Sequence, residues 1–510
     1  MEAIGSFIGR RQFLTIAGAT SALTLTASAA TAAETNAAGG CNTSGRQTIK
    51  GLVVEKPVHI PVKPPSAEEE MMPLAGAGAA GGPGGRADTV KSTPAVYIGD
   101  GKYLPDSSKT DAVSAGKVGD AFASSLKISG KEVETGGVSV KGMGSNYILT
   151  DANIDLHGDG GFAMGGPKSG ALVSDYGILT IRDSTITTSG QSRNATAAQD
   201  HSILKVYNST LTSHGIPFTP DITNSGQKIQ LEIDGNSRTH VTMGNSYSYF
   251  YYSTIIADGW AALSTDDADG FVYLEANHCK VHTIKSGYGT YADRYCHNVM
   301  NHCDFDVASM AAIVEAEADV TFSDTNAKCG SYFALLHSVS TPAGLNTLKV
   351  TGGDIKTKSA AVLVKSANAE IVFDGAKVVS ESNVLLKSAK SVDPNAAKAA
   401  NTKGQEVYGI HATFKNMDIV GDVIHADKEN RRMTVYLEST TLKGAIKDAS
   451  IKMSGLSKWI ATADSNVTIV GDVELSQIDA PAGVTITAVA SEAGTHKLAS
   501  CGILVLKPAL

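Results

Sequence analysis

Leu263-Ser264, Ala292-Asp293, Val314-Glu315, Leu336-His337, Val364-Lys365 and Leu386-Lys387 repeat one pattern, an apolar residue followed by a polar one. The polar members lie 29, 22, 22, 28 and 22 residues apart. A second column runs through Ser184, Ser209, Ser253, Cys279, Cys303, Thr325, Gly353 and Ala376. Each of these stands two residues before an apolar or small position: Ile186, Leu211, Ile255, Val281, Phe305, Ala327, Ile355 and Val378. Two columns with one drifting period predict a solenoid, because each repeat buries its apolar face only against its neighbours.

Upstream, Ile178-Leu179-Thr180-Ile181 with Thr185-Ile186 returns as Ile203-Leu204-Lys205-Val206 with Thr210-Leu211. Short β-prone runs between Gly, Asn, Asp and Ser turns, about three to a repeat, predict an all-β chain. The class this implies is a right-handed parallel β-helix, a solenoid of 22–29-residue rungs; the leucine and asparagine pattern of leucine-rich repeats is missing. Composition agrees, with 52 glycines in 510 residues and only 6% aromatics. Ser, Thr, Cys and Asn in register are expected to stack as inward ladders. The long step from Ser209 to Ser253 leaves room for a loop around Pro217 to Lys228, and Ser391 to Glu406 forms a second insert. The coil is expected to span residues 96–447, with last rungs and a C-terminal cap over 448–510, since an open sheet edge invites aggregation.

Gly9-Arg10-Arg11-Gln12-Phe13-Leu14, the apolar stretch to Leu25, and Ala27-Ser28-Ala29 and Ala32-Ala33 resemble a twin-arginine export signal, here residues 1–33. Export to a periplasm, cell surface or medium follows as an expectation. Residues 34–95 read as a Pro-, Gly- and Ala-rich linker, with a short strand at Gly51 to Val54 that can cap the solenoid. A formal net charge of −8 argues against a general nucleic-acid binder. No run of about 18 apolar residues predicts a stable membrane span.

Asp183-Ser184-Thr185-Ile186-Thr187, Asn208-Ser209-Thr210-Leu211-Thr212, Ser286-Gly287-Tyr288-Gly289-Thr290-Tyr291-Ala292 and Val362-Leu363-Val364-Lys365 resemble motifs of exported bacterial β-helix proteins of the broad pectin-lyase-like class. The resemblance covers roughly residues 130–490. It implies the right-handed parallel β-helix and leaves function open among polysaccharide lyases, hydrolases, C5-epimerases and adhesins. The paired-Asp, Gly-His-Gly and Arg-x-Lys arrangement of polygalacturonases is missing, Thr265-Asp266-Asp267 being only a fragment of it. The calcium aspartates of pectate lyases find no one-to-one match either.

Strands in register lie about 4.8 Å apart. The column therefore predicts Asp293, Glu315, His337, Lys365 and Lys387 as one vertical line. Stacked carboxylates with a histidine form an acid/base set, and lysines beyond them can hold a carboxylate or an oxyanion. The catalytic candidates are His337, Glu315, Asp293 and Tyr291; the substrate-binding candidates are Lys365, Lys387, Tyr288 and Arg294. This reads as an extracytoplasmic lyase, isomerase or hydrolase acting on a glycan or other hydroxylated ring. No redox cofactor is expected, because neither a dinucleotide nor a phosphate-loop motif occurs. The alternative is a non-catalytic adhesin-like or carbohydrate-binding solenoid, whose column would be a solvated ridge of complementary charges. Under the enzyme reading His337→Gln is expected to lower turnover roughly 10²-fold and to leave stability within about 1 kcal/mol, as for a surface substitution. Under the scaffold reading neither moves much, and with an inward-facing His337 the change would instead cost substantial stability.

Three features compete. Asn277-His278-Cys279 and Asn301-His302-Cys303, with His282, Cys296 and His297, offer metal-type ligands. The ladder position of Cys279 and Cys303 instead predicts stacked buried side chains, as thiols or as a disulfide, and no metal is assigned. Tyr247, Tyr249, Phe250, Tyr251 and Tyr252 form an aromatic run, read as core packing rather than a sugar platform. Thr265 to Gly270 reads as a turn rather than a calcium loop.

Overall fold

The computed structural model describes residues 47–59, 90–161, 164–215, 231–233, 235–266, 271–338, 344–390 and 408–509. The signal, the segments Pro217 to Lys228 and Ser391 to Glu406, and Asp267 to Gly270 lie outside them. The described chain winds as a parallel β-helix, and its pairings join 40 strands into one continuous sheet system, with a separate four-stranded sheet in the later rungs. Each rung lays one strand on each of three faces. The first sheet stacks Ser237–Thr242, Trp260–Thr265, Tyr288–Ala292, Met310–Glu315, Ala334–His337 and Val362–Lys365. The second stacks Ile203–Tyr207, Tyr247–Tyr251, Val272–Asn277, Cys296–Asn301 and Asp319–Ser323. The third stacks Thr210–His214, Thr254–Ala257, Lys280–Thr283 and Asp304–Val307.

Alternation along each strand fills the coil. Leu204, Val206, Phe250, Leu274, Val320 and Phe322 point inward from the second sheet and are fully buried. Phe322, Phe333, Phe373 and Phe414 form a ring stack along the axis, with neighbouring centroids 4.9, 6.2 and 5.8 Å apart. The predicted ladder lies in the two-residue corner between the second and third sheets. There the Ser184 amide donates to Ser209 Oγ at 3.1 Å, the Ser209 amide to Ser253 Oγ at 3.2 Å, and the Cys303 amide to Thr325 Oγ1 at 3.2 Å. The residue before each ladder position turns left-handed: Asp183, Asn208, Tyr252, His278, His302 and Asp324 have φ of 45 to 53°.

The ends are closed. Val113–Val118 and Phe122–Gly130 pair antiparallel at the N-terminal end, and Gly494–Lys497 and Ile503–Pro508 at the C-terminal end. Residues 47–59 form a strap along the coil. Thr48 and Ile49 pair antiparallel with Glu474 and Val473, slightly earlier than the strand expected at Gly51 to Val54. Further along, Lys50 pairs with Asp472 at 2.5 Å, Lys56 with Glu370 at 2.6 Å and His59 with Glu317 at 2.8 Å. No helix among the described residues is long and apolar enough to cross a membrane.

Candidate functional site

On the first sheet the side chains that point into the coil are Ala292, Val314, Leu336 and Val364. Tyr291, Ile313, Leu335 and Leu363 belong to a separate cluster on the outer side, packed with Leu231, Ile233, Trp260 and Tyr288. The parity places the next position outward too. Glu315 pairs with His337, and His337 with Lys365. Ala292 is paired with Val314, so Asp293 follows in the same line as Glu315. Four of the five predicted members therefore form one outward column.

That column is not a solvated ridge. Asp293, Glu315, His337 and Lys365 are 9, 6, 3 and 8% exposed. The Tyr291 hydroxyl donates to Glu315 Oε2 at 2.7 Å, and His337 Nε2 lies 3.6 Å from the same oxygen. Lys365 Nζ reaches Glu232 at 2.5 Å, which ties the column to the segment carrying Leu231 and Ile233. Arg294 flanks Asp293, its Nε 3.9 Å from Oδ1 and its own amide donating to that oxygen at 2.8 Å.

Lys387 requires a correction. Lys387 pairs with Leu363, and the residue opposite Lys365 is Ala389. The pairing runs without interruption from Val362 opposite Leu386 to Lys365 opposite Ala389, two residues further along than a count from the apolar residues places it. Lys387 lies exposed in the neighbouring outward line. A similar slip displaced the other end of the column. Thr265, not Ser264, stands opposite Ala292, so Asp266 is the next carboxylate above Asp293. Its Oδ2 accepts from Arg238 Nη1 at 2.6 Å, and the Arg238 guanidinium lies 4.6 Å from the Trp260 ring and 5.5 Å from Tyr291. Arg238, Asp266, Trp260 and Glu232 were missed by the repeat alignment. With the correct register, Asp266 would have extended the column by one carboxylate; Glu232 and Arg238 carry no periodic signal.

The inner side fixes these strands. Asn298, buried in the second sheet, donates through Nδ2 to Thr290 Oγ1 and to the Tyr291 carbonyl, both at 2.9 Å. Thr265 Oγ1 donates to the same carbonyl at 2.9 Å. This clamp sets the height of Tyr291 and hence of its hydroxyl on Glu315.

Electrostatics follow from the burial. Desolvation holds the Asp293 carboxyl well above the usual carboxylate range, Glu315 and Asp266 push the same way, and Arg294 opposes them. Burial, then Asp293 and Glu315, raise the Tyr291 phenol well above its ordinary value. Tyr288 is fully buried, and desolvation pushes its phenol up to about 12, so it is a packing wall rather than an exposed stacking ring. Burial works against the Arg238 cation, but Tyr288, Asp266 and Tyr291 outweigh it and keep the guanidinium charged. The result is a covered set containing a carboxyl whose pKa burial raises, a second carboxyl bonded to a phenol, an imidazole and fixed cations. Such a set can give and take protons.

The competing features resolve differently. Cys279 and Cys303 are buried in the inward ladder as free thiols, not as a disulfide, whereas Cys501 is disulfide-bonded. His278 and His302 point the other way and stack outside, 4.9 Å apart, with Tyr252 5.1 Å from His278. Of the aromatic run only Phe250 is core; Tyr247, Tyr249 and Tyr251 are half-buried on the outer side, and Tyr252 is exposed. No protein-family model matches the chain, and no curated protein sequence is similar to it.

Proposed function

We propose that the chain is an extracytoplasmic enzyme of the pectin-lyase-like class, doing cofactor-independent acid/base chemistry on a carbohydrate or other hydroxylated ring. The observation that carries this reading is the buried outward column Asp293–Glu315–His337, with Tyr291 bonded to Glu315. Burial of four ionisable groups costs stability that a purely structural sheet face would avoid by using apolar residues. In this reading Asp293, whose carboxyl burial holds well above the usual carboxylate range, is the general acid. Glu315 with His337 takes the substrate proton, and Tyr291 orients Glu315. Arg294 and Lys365 hold a negative group of the substrate, and Tyr288 shapes the wall. An elimination, an epimerisation and a hydrolysis all need such an acid opposite a base. Export rests on the resemblance of Arg10-Arg11 and the apolar stretch behind it to a twin-arginine signal.

The test is turnover of acidic glycans and small phenolic or cyclic compounds by purified protein, alongside His337→Gln and Tyr291→Phe. The wild type is expected to convert at least one substrate and both variants to lose turnover. A substrate that both variants convert at the wild-type rate removes this column from the mechanism. Export is tested separately: Arg10→Lys with Arg11→Lys is expected to leave the protein in the cytoplasm, and undiminished release would overturn that part.

A further inference from the structure

A second site lies on the second sheet, several rungs beyond the buried column. The strap passes over the strands Ile410–Lys415, Met433–Glu438 and Ile446–Ser454, and a cavity of about 390 Å³ opens between them. Lys56 of the strap lines it together with Thr413, Tyr436, Glu438, Lys452 and Ser454. Thr413, Tyr436 and Lys452 are successive members of one outward line, and Glu438 and Ser454 of the next. The volume is in the range of small-molecule sites.

The charges around it do not cancel. Lys56 is paired with Glu370 at 2.6 Å, and Glu438 with Lys415 at 3.1 Å. Lys452 has no ion-pair partner among the described residues and is exposed, which leaves one uncompensated cation at the cavity. The remaining lining is hydroxyl-bearing apart from Leu437. The Tyr436 ring stacks beside His411, with centroids 5.8 Å apart and 29° between the planes, and His411 Nδ1 lies 3.0 Å from the Tyr436 hydroxyl. This fixes the ring as one wall, with Thr413 and Ser454 offering hydroxyls that both donate and accept.

We infer that this cavity binds a small polyhydroxylated anion, with Lys452 on the negative group, Tyr436 against the carbon skeleton, and Thr413 and Ser454 on its hydroxyls. A sugar acid and a sugar phosphate share this chemistry. The inference does not depend on the first sheet being catalytic. Titration calorimetry of the full mature protein with D-glucuronate, D-glucose 6-phosphate, D-glucose and inorganic sulfate tests it. Glucuronate is expected to bind at least about tenfold more tightly than glucose, with added salt weakening it. Tighter glucose 6-phosphate than glucuronate identifies the phosphate source, and the reverse identifies the carboxylate. Lys452→Gln, an exposed change, should keep the thermal midpoint and abolish the preference for the charged sugar. His337→Gln should leave binding unchanged. Equal affinity for glucuronate and glucose, undiminished binding by Lys452→Gln, or loss in His337→Gln alone would overturn the assignment. Sulfate binding as tightly as glucuronate would overturn the polyhydroxylated part.

Discussion

His337 was expected at the surface, and its burial changes what a substitution does. His337→Gln should lower turnover roughly 10²-fold, the scale of a general acid or base. It should also cost about 1–3 kcal/mol, because a buried polar group is replaced by one of different shape; urea unfolding with circular dichroism separates the two effects. Asp293 supplies a pH signature. Its folded-state pKa is raised above the unfolded one, so the unfolded chain loses this proton first as pH rises. Its contribution is fully present below the ordinary carboxylate pKa and is lost as pH climbs from there toward the raised folded value. Asp293→Asn cannot ionise and should flatten that decline. Denaturation midpoints at about pH 4 and pH 8 should show the variant gaining on wild type with rising pH. A constant gap between them would contradict the assignment of cause.

Strand and corner carry the next level of prediction. Ser209 Oγ accepts the Ser184 amide and donates to the Tyr207 carbonyl at 2.7 Å. Ser209→Ala leaves a buried amide unpaired and should cost about 1–3 kcal/mol in urea unfolding. Gly353 holds the same ladder place with φ +80°, and a Cβ there would sit 2.1 Å from the Thr325 carbonyl oxygen. Gly353→Ala should therefore be more damaging than Ser209→Ala, despite being the smaller chemical change. These corners were legible in the sequence, because Ser, Cys and Thr recur there beside Asp, Asn or His, and two-residue corners leave no slack for the count to drift. The first sheet was less legible. Its strands are joined by connections of unequal length, so Val364 and Lys365 stand opposite Ser388 and Ala389 rather than Leu386 and Lys387. Four of the five column members could be placed from spacing, yet Lys387 slipped and Asp266 was displaced. Arg238 and Glu232 could not be read at all: Arg238 stands on a first-sheet strand but in another line, opposite Ala261, and Glu232 reaches the column from the segment before that strand. Nor could the cover over it, since Leu231 and Ile233 pack across rungs rather than along one.

Among the described residues each rung packs mainly on its neighbours, apart from the strap and the segment 231–233, whose Glu232 reaches Lys365 several rungs on. Hydrogen exchange is expected to find the central rungs most protected and the ends least. A variant lacking residues 47–59 should lose protection first around Ile469 to Glu474, where the Leu52 amide donates to the Ile469 carbonyl at 2.8 Å and Thr48 pairs with Glu474. Unchanged exchange there would mean that the strap contributes nothing to the closure. The strap also sets an order of assembly. The strap leaves the ribosome before the coil and finds its partners on rungs made hundreds of residues later, so the coil can stack from Thr93 onward while this segment waits. Its docking is then the last step, and a chain broken off before Val473 has nothing for Ile49 to pair with. Proteolytic protection of residues 47–59 thus marks a finished chain, and a truncated one would be distinguishable by its loose beginning rather than by its missing end.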